Sequence, residues 1–343
     1  MAGQQAADIG DLVTSTLRDL GPGKWTDLSY DLQGYHTVKR LMKGNRIKTF
    51  DSGYEFQWQV MVASTSSARS VGLGAEDVVN IQDTMISGNH PFRHQTFNFA
   101  FEEREPAFNR GKAEIYDLVA SRRHKARVDY MKLIEDQAWS NPASTSDDIH
   151  GIPYWIVKAS GTPSFQGGAA SGYTTVGGIN PTTYTQWKNW TGQYTLVTAE
   201  DLVVKLDDAM DYTAWMPPVD GPSYNTGDQY EMYTTQSVRG SLKRIAMDQN
   251  DDLGFDLDPA YGQVMFRRTP IVWIPQILGG GDTTNPIYGV NWGVMKWAVL
   301  RGWWMKQAPE AVVGDQHTVR VVHTDCTCNL FTMDRRRHFV LYV

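Results

Sequence analysis

Cysteine is nearly absent from this sequence: of 343 residues only Cys326 and Cys328 are cysteine. A single intervening residue would put both on one side of a strand, where a disulfide between them would be strained, so a disulfide-stapled fold is excluded. His317 and His323 lie close enough in sequence to complete a zinc set, but alternating residues of a strand this near the C-terminus are read as packing groups. Positive charge is also short, with 32 Lys and Arg against 38 Asp and Glu and a net charge of -6. The chain therefore has no cationic excess to displace counterions from a phosphate backbone, which argues against sequence-specific DNA binding. No apolar run approaches the length of about 18 residues that a membrane-crossing helix needs. Met1 to Asp11 also lacks the basic start and apolar stretch of a signal peptide.

Catalytic signatures are equally scarce. Gly72-Leu73-Gly74 has neither the third glycine of a dinucleotide fingerprint nor the Lys-Ser/Thr of a P-loop, and reads as a turn. Asp248, Asn250 and Asp252 have the alternate spacing of a calcium loop. Gly254 comes one place late, however, and Pro259 stands where the bidentate glutamate belongs, so this too reads as a surface turn. No HExxH, GxSxG or Cys-His pairing occurs. Asn189-Trp190-Thr191 matches a glycosylation acceptor without any sign of secretion. No catalytic residue, cofactor or metal is assigned.

What the chain does have is a globular composition, 41% hydrophobic and 20% charged, and a heavy aromatic load of 12 Trp, 16 Tyr and 12 Phe. Rings in that number exceed what one interior readily absorbs and point to association surfaces or ligand stacking. From Tyr54 to Val62 the alternation is strict, with Tyr54, Phe56, Trp58, Val60 and Val62 on one face and Glu55, Gln57 and Gln59 on the other. Gln95 to Phe101 repeats it, with Phe97, Phe99 and Phe101 against Thr96, Asn98 and Ala100. The two runs are read as the legs of one hairpin. Their connection, roughly 30 residues rich in Ser, Gly and Asn, is too long for a tight turn and is expected to project and make contacts.

Ala107 to Trp139 carries the strongest helical signal, with Ile115, Leu118, Val119, Ala126, Tyr130, Leu133, Ile134 and Ala138 at three- and four-residue spacing. Its other face holds Arg122, Arg123, His124, Lys125 and Arg127, read first as a solvated face and only second as a nucleic-acid patch. Asn141-Pro142 ends that helix, and the region to Asn225 is loop-rich. Within it Thr198, with Asp201 three residues on, caps a helix whose stripe is Leu202, Val203, Leu206 and Met210. Strands are expected over Tyr230 to Gln236, Val264 to Ile274, Thr318 to Met333 and Phe339 to Val343.

In order, these elements are an N-terminal arm, a long hairpin, one long amphipathic helix, a glycine-rich middle and closing strands. That order resembles the tailed-bacteriophage major capsid proteins of the Hong Kong 97-like fold. Three stretches carry the likeness: Asp148-Ile149-His150-Gly151-Ile152 after the long helix; Gly177-Gly178-Ile179-Asn180 followed by Trp187-Lys188-Asn189-Trp190; and Cys328-Asn329-Leu330-Phe331 with Arg335-Arg336-Arg337 leading into Phe339-Val340-Leu341.

The resemblance implies an α+β fold with an N-arm at 1–45, an E-loop hairpin at 46–105 and the spine helix of a peripheral domain at 106–142. An axial domain at 143–315 and closing peripheral strands at 316–343 complete it. It implies a structural shell subunit and no enzyme, built into hexamers and pentamers of an icosahedral head around packaged double-stranded DNA. Such a protein would assemble in the host cytoplasm and reside in the virion. The expected subunit interface is the E-loop, with Tyr54, Phe56, Trp58, Phe97, Phe99, Phe101, Glu102, Glu103 and Arg104. The expected partners are further copies of the chain, a portal, a possible cement protein and a separate scaffolding protein, because few residues precede the hairpin. Between Lys48 and Lys112 there is no lysine, so the isopeptide cross-link that some relatives form from an E-loop lysine has no nucleophile here. Two other readings of the residues are an encapsulin-like compartment on the same fold and, in another class, a glycan-binding or glycan-active protein with aromatic stacking platforms.

Overall fold

A computed structural model describes residues 34–42, 46–62, 68, 70, 72–74, 83–105, 118–214, 229–248, 264–314 and 316–343. Most of the expected N-arm, the helical stretch before Leu118 and the turn around Asn250 lie outside the described residues. In chain order the first elements are α1 (His36–Met42), β1 (Ile47–Phe50), β2 (Glu55–Met61), β3 (Met85–Pro91), β4 (Arg93–Glu102) and α2 (Leu118–Ala138). The middle of the chain forms α3 (Ile152–Trp155), β5 (Ser164–Gly167), β6 (Asn189–Gln193), α4 (Val204–Thr213), β7 (Tyr230–Thr234) and α5 (Gln236–Asp248). Then come β8 (Val264–Phe266), β9 (Thr269–Trp273), α6 (Pro275–Gly279), β10 (Ile287–Asn291) and β11 (Met295–Leu300). The last are β12 (Lys306–Gln307), β13 (Ala311–Val313), β14 (Gln316–Thr332) and β15 (Phe339–Tyr342). The fold is α+β, as expected.

The chain divides into two compact units. The first takes in His94–Ile134 and Gly302–Thr327; the second takes in His36–Arg93, Glu135–Arg301 and Cys328–Val343. Helix α2 and strand β14 each give residues to both.

In the first unit β4, β12 and β13 all pair with β14, with Lys306 opposite Asp325 and Val312 opposite Arg320. Phe97 of β4 stacks on Tyr130 of α2 at 4.7 Å between ring centroids. This joins the period-two face of the strand to the period-3.6 face of the helix.

The second unit is built on a seven-stranded mixed sheet in the order β5-β6-β15-β10-β7-β9-β8. Its central strands β15, β10 and β7 are buried along their whole length; β15 reads as a continuous apolar run, while β7 and β10 also bury Glu231, Thr234 and Asn291. Gly289 of β10 faces Phe339 of β15, where an added Cβ would stand 2.1 Å from the ring, so no larger residue fits. Over the sheet pack Leu202, Leu206 and Met210 around α4 and Val238 and Leu242 of α5, against Met232, Ile287 and Leu341.

The cap on the α4 segment is as expected, since the Thr198 hydroxyl accepts from Asp201 N at 3.2 Å. The Asp201 carboxylate in turn accepts from Leu196 N and Thr195 N, and these bonds with Lys205 hold it down to about 2. Two features differ from the sequence expectations. The segment beyond Thr234 is a helix, α5, rather than the end of a strand, with Val238 and Leu242 on its buried side and Gly240, Lys243 and Arg244 exposed. Strands β10 and β11 carry no alternation because both their faces are covered.

Candidate assembly surface

Strand β2 pairs antiparallel with β3, with Phe56 opposite His90, Trp58 opposite Gly88 and Met61 opposite Met85. The alternation expected for β2 is present, since Phe56 and Trp58 are buried while Glu55, Gln57 and Gln59 are exposed. Its partner corrects the sequence reading. The second leg of the hairpin is Met85–Pro91, and the Gln95 to Phe101 run belongs to β4, which pairs with β14. Alternation reports that a strand has one covered face and says nothing about which strand lies beside it. The Gly, Asn, His and Pro of β3 are weak strand formers, so that leg read as loop.

The covered face of the hairpin is closed within the chain. Phe56 sits 5.1 Å from the rings of Phe50 and Phe92 and 5.2 Å from Phe331, and Trp58 lies 5.5 Å from Phe331 and 6.2 Å from Trp155. The two are 2% and 7% exposed. They are core residues, where a face shared with a neighbour had been expected, because Phe331 of β14 and Trp155 of α3 fill the space beside them. Phe99 is likewise buried, while Phe97 and Phe101 are half-buried. The charges beyond β4 are also used inside the chain: Arg320 Nε donates to Glu103 at 2.6 Å and Arg122 grips Glu105 through two bonds of 2.6 and 2.9 Å. Arg104 stands 3.8 Å from Glu102 with more than half of its side chain exposed.

The hairpin turns its other face to solvent. Near the base this face is polar, with Glu55, Gln57 and Asn89, and Asn89 Nδ2 donates to Glu55 at 3.0 Å. At the far end it becomes apolar, with Met61 69% and Met85 45% exposed directly across from each other. Leu73 in the connecting segment is fully exposed, and Tyr54 at the base is 94% exposed. A groove of about 530 Å³ lies alongside, lined by Met61, Val62, Met85, Val294, Met333 and Arg336.

Two buried polar clusters hold this region. Arg335, fully buried, donates to the carbonyls of Trp155 and Trp187 at 2.8 Å, to Gly168 O at 2.9 Å and to Asn189 Oδ1 at 3.1 Å. No carboxylate is among these partners, and burial pushes the guanidinium down to about 9. The arginine triplet preceding β15, read from sequence as a family likeness, thus supplies an internal clamp. Glu135 of α2, 1% exposed, accepts from Thr37 N at 3.2 Å and Val38 N at 2.9 Å, a carboxylate against the free amides that begin α1. Neither role has a signature in local sequence, because the partners lie about 100 or more residues away.

The basic run on α2 divides: Arg122 pairs with Glu105, Lys125 with Asp129 at 2.8 Å, and Arg123, His124 and Arg127 are exposed. Cys326 and Cys328 are buried in β14. No cluster of three or more metal-ligating side chains occurs among the described residues.

No protein-family model matches the chain, and no curated protein matches it. Among solved structures, the fold is similar to that of phage capsid subunits. The chain is similar to the structure titled Cyanophage A-1(L) capsid asymmetric unit at 13% identity and TM-score 0.66, covering 95% of this chain and 96% of that one. The capsid of the empty GTA particle is similar at 10% identity and TM-score 0.58 over 100% and 99% of the two chains. The capsid of Myoviridae phage XM1 is similar at 10% identity and TM-score 0.51 over 95% and 97%.

Proposed function

We infer that this chain is the major shell subunit of a tailed-phage head, a structural protein that closes with further copies of itself into hexamers and pentamers around packaged double-stranded DNA. The observation that supports this best is the extent of the likeness, a shared fold over 95% of this chain and 96% of a capsid subunit with almost no shared sequence. In this reading 46–105 holds the E-loop, with β2 and β3 as its legs, α2 is the spine helix and the seven-stranded sheet is the axial domain, which takes in β15 from the stretch 316–343 expected to close the peripheral domain. A scaffolding protein and a portal are the expected partners, with room for a cement protein, and the virion is its location.

The interface reading changes with the geometry. A two-stranded ribbon is not stable alone, and β2-β3 meets that requirement by burying Phe56 and Trp58 in its own chain. What is left for a neighbour is the outer face and far end, with Tyr54, Met61, Leu73 and Met85. Methionine pairs suit a surface that must fit a neighbour in more than one setting, as five- and six-membered rings demand. Negative-stain microscopy of the expressed chain, alone and with a scaffolding protein, tests the proposal: closed shells or stable rings of five and six are expected. A chain that stays monomeric at every concentration and salt tested would overturn it. DNA in purified particles separates a phage head from an encapsulin-like compartment.

A further inference from the structure

His90 of β3 and His150 just before α3 lie against each other inside the second unit, ring centroids 4.5 Å apart at 66°, at 2% and 3% exposure. The hydrogen bonds of His150 fix its protonation. Asn329 of β14 accepts at Oδ1 from His150 N at 3.1 Å and from Leu330 N at 2.9 Å, so its amide nitrogen must face the other way. That nitrogen donates to Pro91 O at 2.8 Å and points at His150 Nδ1 at 3.2 Å. Nδ1 is therefore an acceptor and carries no proton. The proton sits on Nε2 and donates to Tyr173 Oη at 3.2 Å, and Tyr173 passes its own to Pro142 O at 3.0 Å. A second proton on His150 would set an N–H against the Asn329 NH2 group, donor against donor. It could be relieved only by turning the amide and losing its bonds to His150 N, Leu330 N and Pro91 O. His90 Nε2 is buried with no hydrogen-bond partner among the described residues, so a charge there would be unsolvated.

We propose that this pair is an acid-released latch, which at neutral pH pins strand β3 of the hairpin to β14 and to the segment before α3, and which lets go when the two imidazoles are protonated. Among the described residues nothing around the rings would neutralise that charge. From the hairpin side His90 meets Phe56, and from α3 it meets Tyr154 at 5.5 Å and Trp155 at 5.0 Å. Burial pushes the Tyr154 hydroxyl up to about 12, so it stays neutral. The charged group that acts on both rings is Arg93, which repels a proton. The neighbouring carboxylates are turned elsewhere, Asp147 to Arg93 at 3.4 Å and Asp148 to Gln137 and Ser146. Burial first, with Arg93 second, brings His150 down to about 4; burial, His150 and Arg93 together hold His90 well below its usual value.

The sign follows from proton counting. Above the free imidazole value of about 6.5 both the closed and the released states are neutral and the latch is at full strength. Between there and about 4 only the released state takes up the proton, so closure weakens as pH falls. For His150 alone this amounts to a rise of roughly two orders of magnitude in the opening equilibrium across the window.

The test is hydrogen exchange of the full-length chain from pH 7 to pH 4, corrected for intrinsic rates. Residues 85–92 should lose about 100-fold in protection while Leu206–Met210 of α4 stays protected. In the His90→Phe/His150→Gln variant, the drop between pH 6.5 and 4 should be absent. Loss of protection in both segments at the same pH, or an unchanged profile in the double variant, would overturn the latch. Should that variant not fold, nitrogen-15 histidine spectra of the wild-type chain decide the matter. His150 must remain neutral with the proton on Nε2 at pH 5.5, and a charged His150 at that pH would overturn the proposal equally.

Discussion

The indole of Trp58 lies flat across Gly88, its partner on the opposite hairpin strand: a Cβ added to Gly88 would stand 2.7 Å from Trp58 Cε2. On its other side the same ring closes on Gly177, whose φ of 60° falls in the left-handed region. The tryptophan is held between two residues chosen for having no side chain.

Gly88→Ala should therefore cost about 1–3 kcal/mol, since the indole must shift inside a filled aromatic cluster. Gly240→Ala on α5, where an added Cβ meets nothing within 4 Å, should instead stabilise by about 0.5–1 kcal/mol. Thermal melts of the two variants should move in opposite directions. A Gly88→Ala melt equal to wild type would show that Trp58 is not fixed there.

Substitutions on the two faces of the hairpin should separate folding from assembly. Trp58→Asp places a charge in a closed aromatic core and should cost about 3 kcal/mol or more, as should Phe99→Asp, so that soluble folded protein is lost together with particles. Met61→Ser/Met85→Ser should leave the melt within about 0.5 kcal/mol of wild type while particle yield collapses. Intact particles from the methionine variant, counted by sedimentation, would remove the hairpin end from the interface.

Arg335 should tolerate no replacement. Lysine has one nitrogen to offer where the guanidinium serves carbonyls of Trp155, Trp187 and Gly168 together with Asn189, and the orphaned acceptors should cost about 3 kcal/mol or more. Arg301→Lys, altering a pair with Asp51 in which both side chains are more than 70% exposed, should change stability by less than about 0.5 kcal/mol. Equal denaturant midpoints for the two lysine variants would contradict the clamp.

A shell of this chain should be held without covalent links between subunits, because no lysine occurs between Lys48 and Lys112 and the far end of the hairpin has no amine nucleophile. Mature particles boiled in detergent with reductant should run as a single band near the chain mass. A ladder of multimers would sink the idea.

Periodicity by itself determined the elements that have one wet face: β2, the long helix α2 and the capped α4 segment. An element with one covered face must write that face into its sequence. The composition, the absence of catalytic and metal motifs, and the missing lysine were also legible there. Only the tertiary structure decided which strand pairs with β2, because Met85–Pro91 takes its strand form from its neighbour rather than from its residue types. Only the tertiary structure turned Phe56 and Trp58 inward, since a one-dimensional pattern marks a face as apolar without saying whether Phe331 and Trp155 or another molecule will cover it. The same holds for Arg335, Glu135 and the His90–His150 pair. Their partners are remote along the chain and adjacent in space, and burial, which makes a lone charge or a second proton costly there, exists only once the chain has closed around them.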